Sequence, residues 1–175
     1  NVDTCILVDP APDLRQPLLN ADVERLDAVL YTHYHADHLH GIDDLRQINR
    51  SMNAAINMYA DTDTMDNIKQ RFGYVLEPMA ANAKSHFKPT LNPHTLNNRD
   101  RLTIGDVDID VFVQDHGYCK TLGFRFGPIA YSTDVVEMPE NAFKILGGVD
   151  TWIIGALIDQ PHPTHAHVDK ALKWM

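Results

Sequence analysis

Residues 30–41 of the chain have the sequence LYTHYHADHLHG, and they hold four of the ten histidines. His33 and His35 are separated by one residue, and Asp37 and His38 follow closely. The stretch comes after a predicted strand, in which alternate residues share a face, so His33 and His35 can point to one place. The chain then turns toward a predicted helix, which lets Asp37 and His38 point to an adjacent place. One short segment thus supplies ligands for two metal ions.

Imidazole and carboxylate groups suit Zn, Mn or Fe, and a mixed nitrogen and oxygen set does not choose among them. The ordinary alternative is a solvated loop of histidines or a single adventitious metal site. The dense HxHxDH spacing at a strand–loop–helix junction argues against that alternative. His40 lies outside the alternation, so a surface position or a supporting contact is favoured over metal binding.

Two positions further along the chain could complete such a site. His116 comes just after an apolar strand that is predicted to end at Val113, and Asp134 follows a strand predicted over Ile129–Thr133. Functional groups of open α/β folds collect at strand ends, and a carboxylate can bridge two cations with its two oxygens. For each of these two residues, the local sequence supports a structural role as well as it supports a ligand role.

The third candidate segment is residues 160–167, QPHPTHAH, which contains three histidines. Its two prolines stiffen the loop. The spacing does not distinguish a metal ligand from a proton donor or a helix cap, and structural roles are favoured for His162 and His167.

Other reactive side chains give weaker signals. Neither Cys5 nor Cys119 has a context that predicts a nucleophile. Tyr118 and Lys120 are close to His116 and could contact an anionic substrate, although a solvated loop is the simpler interpretation. No Walker-type or GxGxxG loop is present, so binding of nucleoside triphosphates or dinucleotides has no support.

Composition restricts the function further. The 175 residues carry a formal charge of −9 and are 44% hydrophobic, as expected for one globular domain. The acidic balance argues against binding of extended nucleic acid through a basic surface. No apolar run approaches the ~20 residues of a membrane-spanning helix. Two cysteines favour reduced thiols and a cytoplasmic protein. The chain starts without methionine and stops within a helical pattern, so we expect flanking segments at both ends.

Apolar runs and turn signals predict a layered α/β fold. The strands are predicted at Cys5–Asp9, Ala28–Thr32, Ala54–Tyr59, Val107–Val113, Thr121–Phe126, Ile129–Thr133 and Thr151–Leu157, and the fifth and sixth should form a hairpin across Gly127-Pro128. Helical patterns cover Ile42–Asn49, Thr62–Phe72 and the chain from about Val168 onward. Residues 77–100 are rich in Pro and Asn, which predicts a long loop.

The run THYHADHLHG resembles the HxHxDH signature of the metallo-β-lactamase superfamily. The resemblance implies a four-layered αββα sandwich with a dinuclear metal site at one edge. It continues through VDPAPDLR, GIDDLR, HGYCKTLGFRF, AYSTDV and PHPTHAHVDKAL, which are similar to the branch that contains the PhnP-type phosphoribosyl cyclic phosphodiesterase. Most of the chain is covered, so residues 1–175 are predicted to be a single domain of this fold.

The resemblance also implies roles for individual residues. The implied ligands are His33, His35 and His116 for the first metal ion, Asp37 and His38 for the second, and Asp134 as a bridge. His165 looks like the family's loop histidine, so the resemblance implies that it contacts the phosphate and protonates the leaving group, and Asp37 is expected to be a second catalytic residue. A last histidine ligand, and an N-terminal segment that can carry a structural zinc cluster, are expected outside these 175 residues.

The resemblance predicts a hydrolase with two divalent metal ions, Zn or Mn. A hydroxide held between them would attack a phosphodiester, with a cyclic ribose phosphate as the favoured small-molecule substrate. Nucleotide monophosphates share the ribose-phosphate unit and are expected as ligands. The sequence leaves open whether the chain forms a homodimer. The alternatives are hydrolysis of thioesters, β-lactams or other esters, and a catalytically idle module that binds metal and ribose phosphates. Processing of tRNA has less support, because no long basic arm is visible.

Overall fold

A computed structural model describes residues 4–175 of the chain. They fall into two compact units that divide after Leu96, and each unit contains one β-sheet. The two sheets and their helices confirm the predicted α/β class, whereas the assignment of residues 1–175 to one domain stays a prediction. Within the described residues, no helix has the length and apolar character needed to cross a bilayer.

The first unit is built around a parallel sheet of four strands. These are β1 (Ile6–Val8), β2 (Ala28–Leu30), β3 (Ile56–Ala60) and β4 (Leu91–Thr95), which pair in that order. The helices are α1 (Arg15–Asn20), α2 (Ala36–Leu39), α3 (Leu45–Met52) and α4 (Thr62–Phe72), with 3-10 turns at Ile42–Asp44 and Gly73–Leu76. All three residues of β2 are buried, so the segment that follows this strand leaves from the centre of the core.

The segment after the histidine-rich loop is held by its apolar side chains. Leu39, Ile42 and Leu45 recur every third residue, which places them on one side of a helical path. All three are fully buried in the core of the first unit. Each such burial contributes about 1.5–3 kcal/mol relative to an exposed side chain. The loop before them is therefore anchored at both ends.

Helix α4 begins with a side-chain cap, which gives a test of the local fold. Asp61 has extended backbone angles, and its carboxylate accepts a hydrogen bond from the Thr64 amide at 2.8 Å. We expect Asp61→Ala to lower the free energy of unfolding by about 1 kcal/mol, because this amide then has no intrahelical partner. Urea unfolding measures the change. Asp66→Ala, on the exposed face of the same helix, is the control, and equal losses for the two variants would contradict the cap.

The second unit contains a five-stranded sheet. Its strands are β5 (Arg101–Ile104), β6 (Val107–Asp115), β7 (Lys120–Phe126), β8 (Ile129–Ser132) and β9 (Thr151–Ile154), which pair in that order. All neighbours are antiparallel except β8 and β9, which are parallel. Helix α5 (Glu140–Leu146) packs on Phe112 and Ala130 of this sheet, and α6 (Val168–Trp174) follows the last loop. The predicted hairpin across Gly127-Pro128 is confirmed.

Several predicted boundaries were wrong. The predicted loop over residues 77–100 contains β4, which forms because residues 91–95 pair with all five residues of β3. Strand β5 and helices α1 and α5 were not predicted. The strand expected over Thr151–Leu157 ends at Ile154. These elements are short or largely exposed, so their sequences lack the apolar periodicity that reveals an element.

Candidate metal centre

The first group of candidate ligands lies where β2 ends. His33 is fully buried, and its ring centroid is 4.4 Å from those of both His35 and His38. His35 is the extended residue before α2, whose first turn contains Asp37 and His38. The Asp37 Oδ2 atom is 3.3 Å from His38 Nε2. The structure therefore brings together the four residues that the sequence motif singled out.

A glycine, Gly41, allows close backbone packing at the end of the histidine-rich loop. The Gly41 amide donates to the Pro10 carbonyl at 2.9 Å. A Cβ atom on Gly41 would lie 1.9 Å from the Ala11 carbonyl oxygen, so no other residue fits without moving the backbone. This close approach ties the end of the histidine-rich loop to the segment that follows β1.

His40 contacts helix α4. Its Nε2 is 3.4 Å from the Arg71 guanidinium, and its ring packs against Phe72. Arg71 also donates to the Tyr34 carbonyl at 3.2 Å, between the two histidines that flank Tyr34. His40 thus belongs to a cluster that supports the loop from α4.

Asp9 is a supporting residue that sequence reasoning missed. Its side chain is 6% exposed, and its Oδ2 is 2.8 Å from His38 Nδ1. The Thr32 amide donates to Oδ1 at 2.8 Å and the Thr32 hydroxyl to Oδ2 at 2.7 Å. Burial raises the pKa of the Asp9 carboxyl, and the bonds from His38 and Thr32 oppose that shift. With the carboxylate on Nδ1, Nε2 is the nitrogen of His38 that could bind a metal ion.

The second group of candidate ligands lies in the second unit. His116 follows β6, and Asp134 comes two residues after β8 with a left-handed φ of 48°. The Asp134 Oδ2 atom is 3.5 Å from the Nε2 atoms of both His116 and His165. The three residues were separate candidates in the sequence, and the structure brings their side chains to one place.

Hydrogen bonding shows which nitrogen of His116 faces the carboxylate as an acceptor. Its Nδ1 is 2.7 Å from the Thr164 carbonyl oxygen, which can only accept, so Nδ1 carries the hydrogen. In the neutral ring, Nε2 then directs a lone pair at Asp134. Two acceptors 3.5 Å apart require a proton or a cation close to both. Imidazole and carboxylate oriented in this way fit a divalent metal ion.

The backbone around Asp134 is held by polar side chains that sequence reasoning also missed. Gln114 is fully buried and donates to the Thr133 carbonyl at 2.8 Å and the Thr121 hydroxyl at 3.1 Å. The Thr121 hydroxyl donates to the Asp134 carbonyl at 3.2 Å. Aspartate tolerates left-handed backbone better than most residues, and these bonds stabilise that conformation. No local pattern in the sequence marks Gln114 or Thr121.

A cavity of about 450 Å³ borders the loop that follows His116. Tyr118, which is 89% exposed, and Lys120 line it together with Asn98 and Asn141. An aromatic ring, an ammonium group and two amides can contact a polar or anionic molecule. Tyr118 and Lys120 were noted in the sequence for the same reason.

The environment of Cys5 disfavours a catalytic role for its thiol. Within the described residues, neither Cys5 nor Cys119 forms a disulfide. Burial, together with the negative charge of Asp27, raises the pKa of the Cys5 thiol, which disfavours the thiolate.

Comparison with known proteins gives matches across the whole chain. Residues 4–175 match the family model described as beta-lactamase superfamily domain. An octanoyltransferase of Porphyromonas gingivalis (strain ATCC BAA-308 / W83) is 31% identical over 170 residues, which are 95% of this chain and 33% of the relative. The chain therefore spans about a third of that protein's length.

Solved structures have the same fold. The crystal structure of a new diphosphatase from the PhnP family has a TM-score of 0.86 and 28% identity, covering 99% of this chain and 64% of that one. The short form of human tRNase Z has a TM-score of 0.74 and 17% identity, covering 99% of this chain and 77% of that one. The match to tRNase Z is evidence for the fold alone.

Proposed function

The chain belongs to the beta-lactamase superfamily, whose fold and relatives indicate a hydrolase, and on this premise we propose that it hydrolyses phosphodiesters. The observation that carries this proposal is the similarity to the PhnP-family diphosphatase over 99% of the chain. The fold together with the histidine and aspartate clusters suggests divalent metal ions. The substrate, and the number and identity of the metal ions, are parts of the proposal.

We propose that the ligands are those that the family resemblance implied. They are His33, His35 and His116 for one ion, Asp37 and His38 for the other, and Asp134 as the bridge. Support within the first unit comes from the ring distances of 4.4 Å around His33. Support within the second unit comes from the Asp134 carboxylate, which faces His116. Zinc and manganese both suit this donor set.

When bound by these residues, divalent ions would neutralise phosphate oxygens and lower the pKa of water toward ~7. The chain's own residues then handle the protons. Asp37, whose side chain is 76% exposed, can accept a proton from the attacking water. As the water oxygen bonds to phosphorus and the bond to the leaving oxygen breaks, His165 Nε2 donates a proton to that oxygen. The products are a phosphomonoester and an alcohol.

The proposed substrate is a small phosphodiester, with a cyclic ribose phosphate favoured and nucleotide monophosphates as ligands of the same site. The cavity beside Tyr118 and Lys120 could receive the organic part of such a molecule. Lys120 offers a positive charge, and the exposed Tyr118 ring offers a flat surface for a sugar or a base.

Hydrolysis of a carboxylic ester or thioester is the second candidate. The observation that favours it is the 31% identity to the octanoyltransferase, whose name indicates transfer of an acyl group. The chain matches only 33% of that protein, so the acyl chemistry can belong to the remainder. Parallel assays with a phosphodiester and a thioester separate the candidates.

Removal of metal tests the proposed function directly. We expect the protein loaded with Zn or Mn to hydrolyse bis(p-nitrophenyl) phosphate, and we expect a chelator to abolish this activity reversibly. Release of p-nitrophenolate measures the rate, and elemental analysis measures the bound metal. Faster turnover of a thioester or of nitrocefin would favour the second candidate or β-lactam hydrolysis. Phosphodiester hydrolysis that continues after the metal is removed would contradict the proposal.

A further inference from the structure

The loop that carries His165 contains a second histidine that the proposed function does not use. The His162 Nδ1 atom is 3.3 Å from His165 Nδ1. The Thr164 hydroxyl oxygen is 3.2 Å from His162 Nδ1 and 2.8 Å from His165 Nδ1. The two rings are tilted, with centroids 5.1 Å apart. Three polar groups thus form a closed cluster on the side of His165 that is remote from Asp134.

The direction of each hydrogen bond follows from the backbone. The Thr164 amide donates to His162 Nδ1 at 3.3 Å, so this nitrogen is an acceptor and the neutral His162 ring carries its hydrogen on Nε2. The Thr164 hydroxyl can then donate to His162 Nδ1 and accept from His165 Nδ1. This arrangement requires a hydrogen on His165 Nδ1. Any other placement of hydrogens on the two neutral rings would set two donors or two acceptors against each other.

We propose that His162 is a positioning residue, which acts with the Thr164 hydroxyl to hold His165 with its Nδ1 protonated and its Nε2 directed at the reacting phosphate. The inference rests on the proposed function, because it assigns a partner to the proposed proton donor. A donor that gives up its Nε2 proton needs an acceptor on Nδ1 while it is positively charged. The lone pair of neutral His162, relayed through Thr164, supplies this acceptor.

The cluster is fixed in place by neighbouring backbone. The Thr164 carbonyl accepts from His116 Nδ1 at 2.7 Å, and the Ala166 amide donates to the Val135 carbonyl at 2.6 Å. Gly117, with a φ of 88°, lies so close that a Cβ atom would be 2.7 Å from the Pro163 carbonyl oxygen. These contacts hold the backbone on both sides of His165, so loss of the His162 side chain should change the hydrogen bonding of the His165 ring rather than the path of the loop.

The leaving group of the substrate provides the test. An alkoxide requires a proton as it leaves, whereas p-nitrophenolate does not. For His162→Ala, we expect kcat on adenosine 2′,3′-cyclic phosphate to fall about 10- to 100-fold, with an unchanged KM. On bis(p-nitrophenyl) phosphate we expect a fall of no more than about 3-fold, because proton donation contributes little to that reaction. His162→Asn, which places an oxygen acceptor near the position of Nδ1, should recover most of the lost rate.

His167→Ala is the matched control, because His167 lies two residues after His165 and makes no side-chain cap to α6. Equal losses on both substrates, or loss of bound metal, would overturn the positioning role. Nitrogen-15 NMR of His165 adds a readout that does not depend on activity. We expect hydrogen on Nδ1 in the parent protein and a mixture of tautomers in His162→Ala, and identical spectra would also overturn the inference. A parent protein without phosphodiesterase activity would instead contradict the proposed function.

Discussion

Asp134→Asn is expected to reduce hydrolysis of bis(p-nitrophenyl) phosphate by at least about 100-fold, since even residues that only support a ligand cost 10- to 100-fold when mutated. The Asp134 Oδ2 atom is 3.5 Å from the Nε2 atoms of His116 and His165. An amide there carries no charge, so it cannot balance a cation between these rings. The protein should also retain less metal after dialysis, as elemental analysis would show.

The choice of asparagine keeps the effect on the site separate from an effect on folding. Asp134 has a φ of 48°, a conformation that asparagine and aspartate both tolerate and that alanine disfavours. Asp134→Ala would therefore add backbone strain to the loss of charge. Asp150→Asn, which removes an exposed carboxylate of the same unit, is the control for net charge. An Asp134→Asn protein with full activity and full metal content would contradict the bridging role.

The histidine-rich loop could be predicted from sequence because its geometry is local. His33, His35, Asp37 and His38 lie within six consecutive residues, so a strand end followed by a helical turn brings them together. His116 and Asp134 are different, because a single His or Asp at a strand end has no local signal that separates a ligand from a structural residue. Their positions made them candidates, and only the resemblance to a known family favoured the ligand role over a structural one.

The supporting residues could not be predicted, because their contacts connect distant parts of the chain. Asp9 is 29 residues from His38, and Gln114 is 19 residues from Thr133. Helix α1 was missed because none of its six residues is buried and Pro17 lies in its first turn. Strand β4 was missed because four of its five residues are exposed. In each case, pairing or packing with a remote segment decides the structure.

Asp9→Asn is expected to weaken metal binding about 10- to 100-fold, with a matching loss of activity at limiting metal. The Asp9 Oδ2 atom accepts from both His38 Nδ1 and the Thr32 hydroxyl. Asparagine has one carbonyl oxygen, which would take the place of Oδ1 and accept from the Thr32 amide. Its NH₂ group would then face His38 Nδ1, and two donors cannot share that position. His38 would shift its hydrogen to Nε2 and lose the lone pair that we propose binds the metal ion.

Titration with a competing chelator measures the affinity, and excess Zn or Mn should restore much of the activity because the ligands themselves are intact. Asp27→Asn is the matched control: Asp27 is a carboxylate of the same unit that accepts from the Cys5 amide at 2.7 Å and from Arg25. Its loss should affect stability more than metal affinity. If Asp9→Asn binds metal as tightly as the parent protein, the orientation of His38 does not depend on this carboxylate. A loss of activity that excess metal cannot reverse would instead indicate a role for Asp9 in the fold.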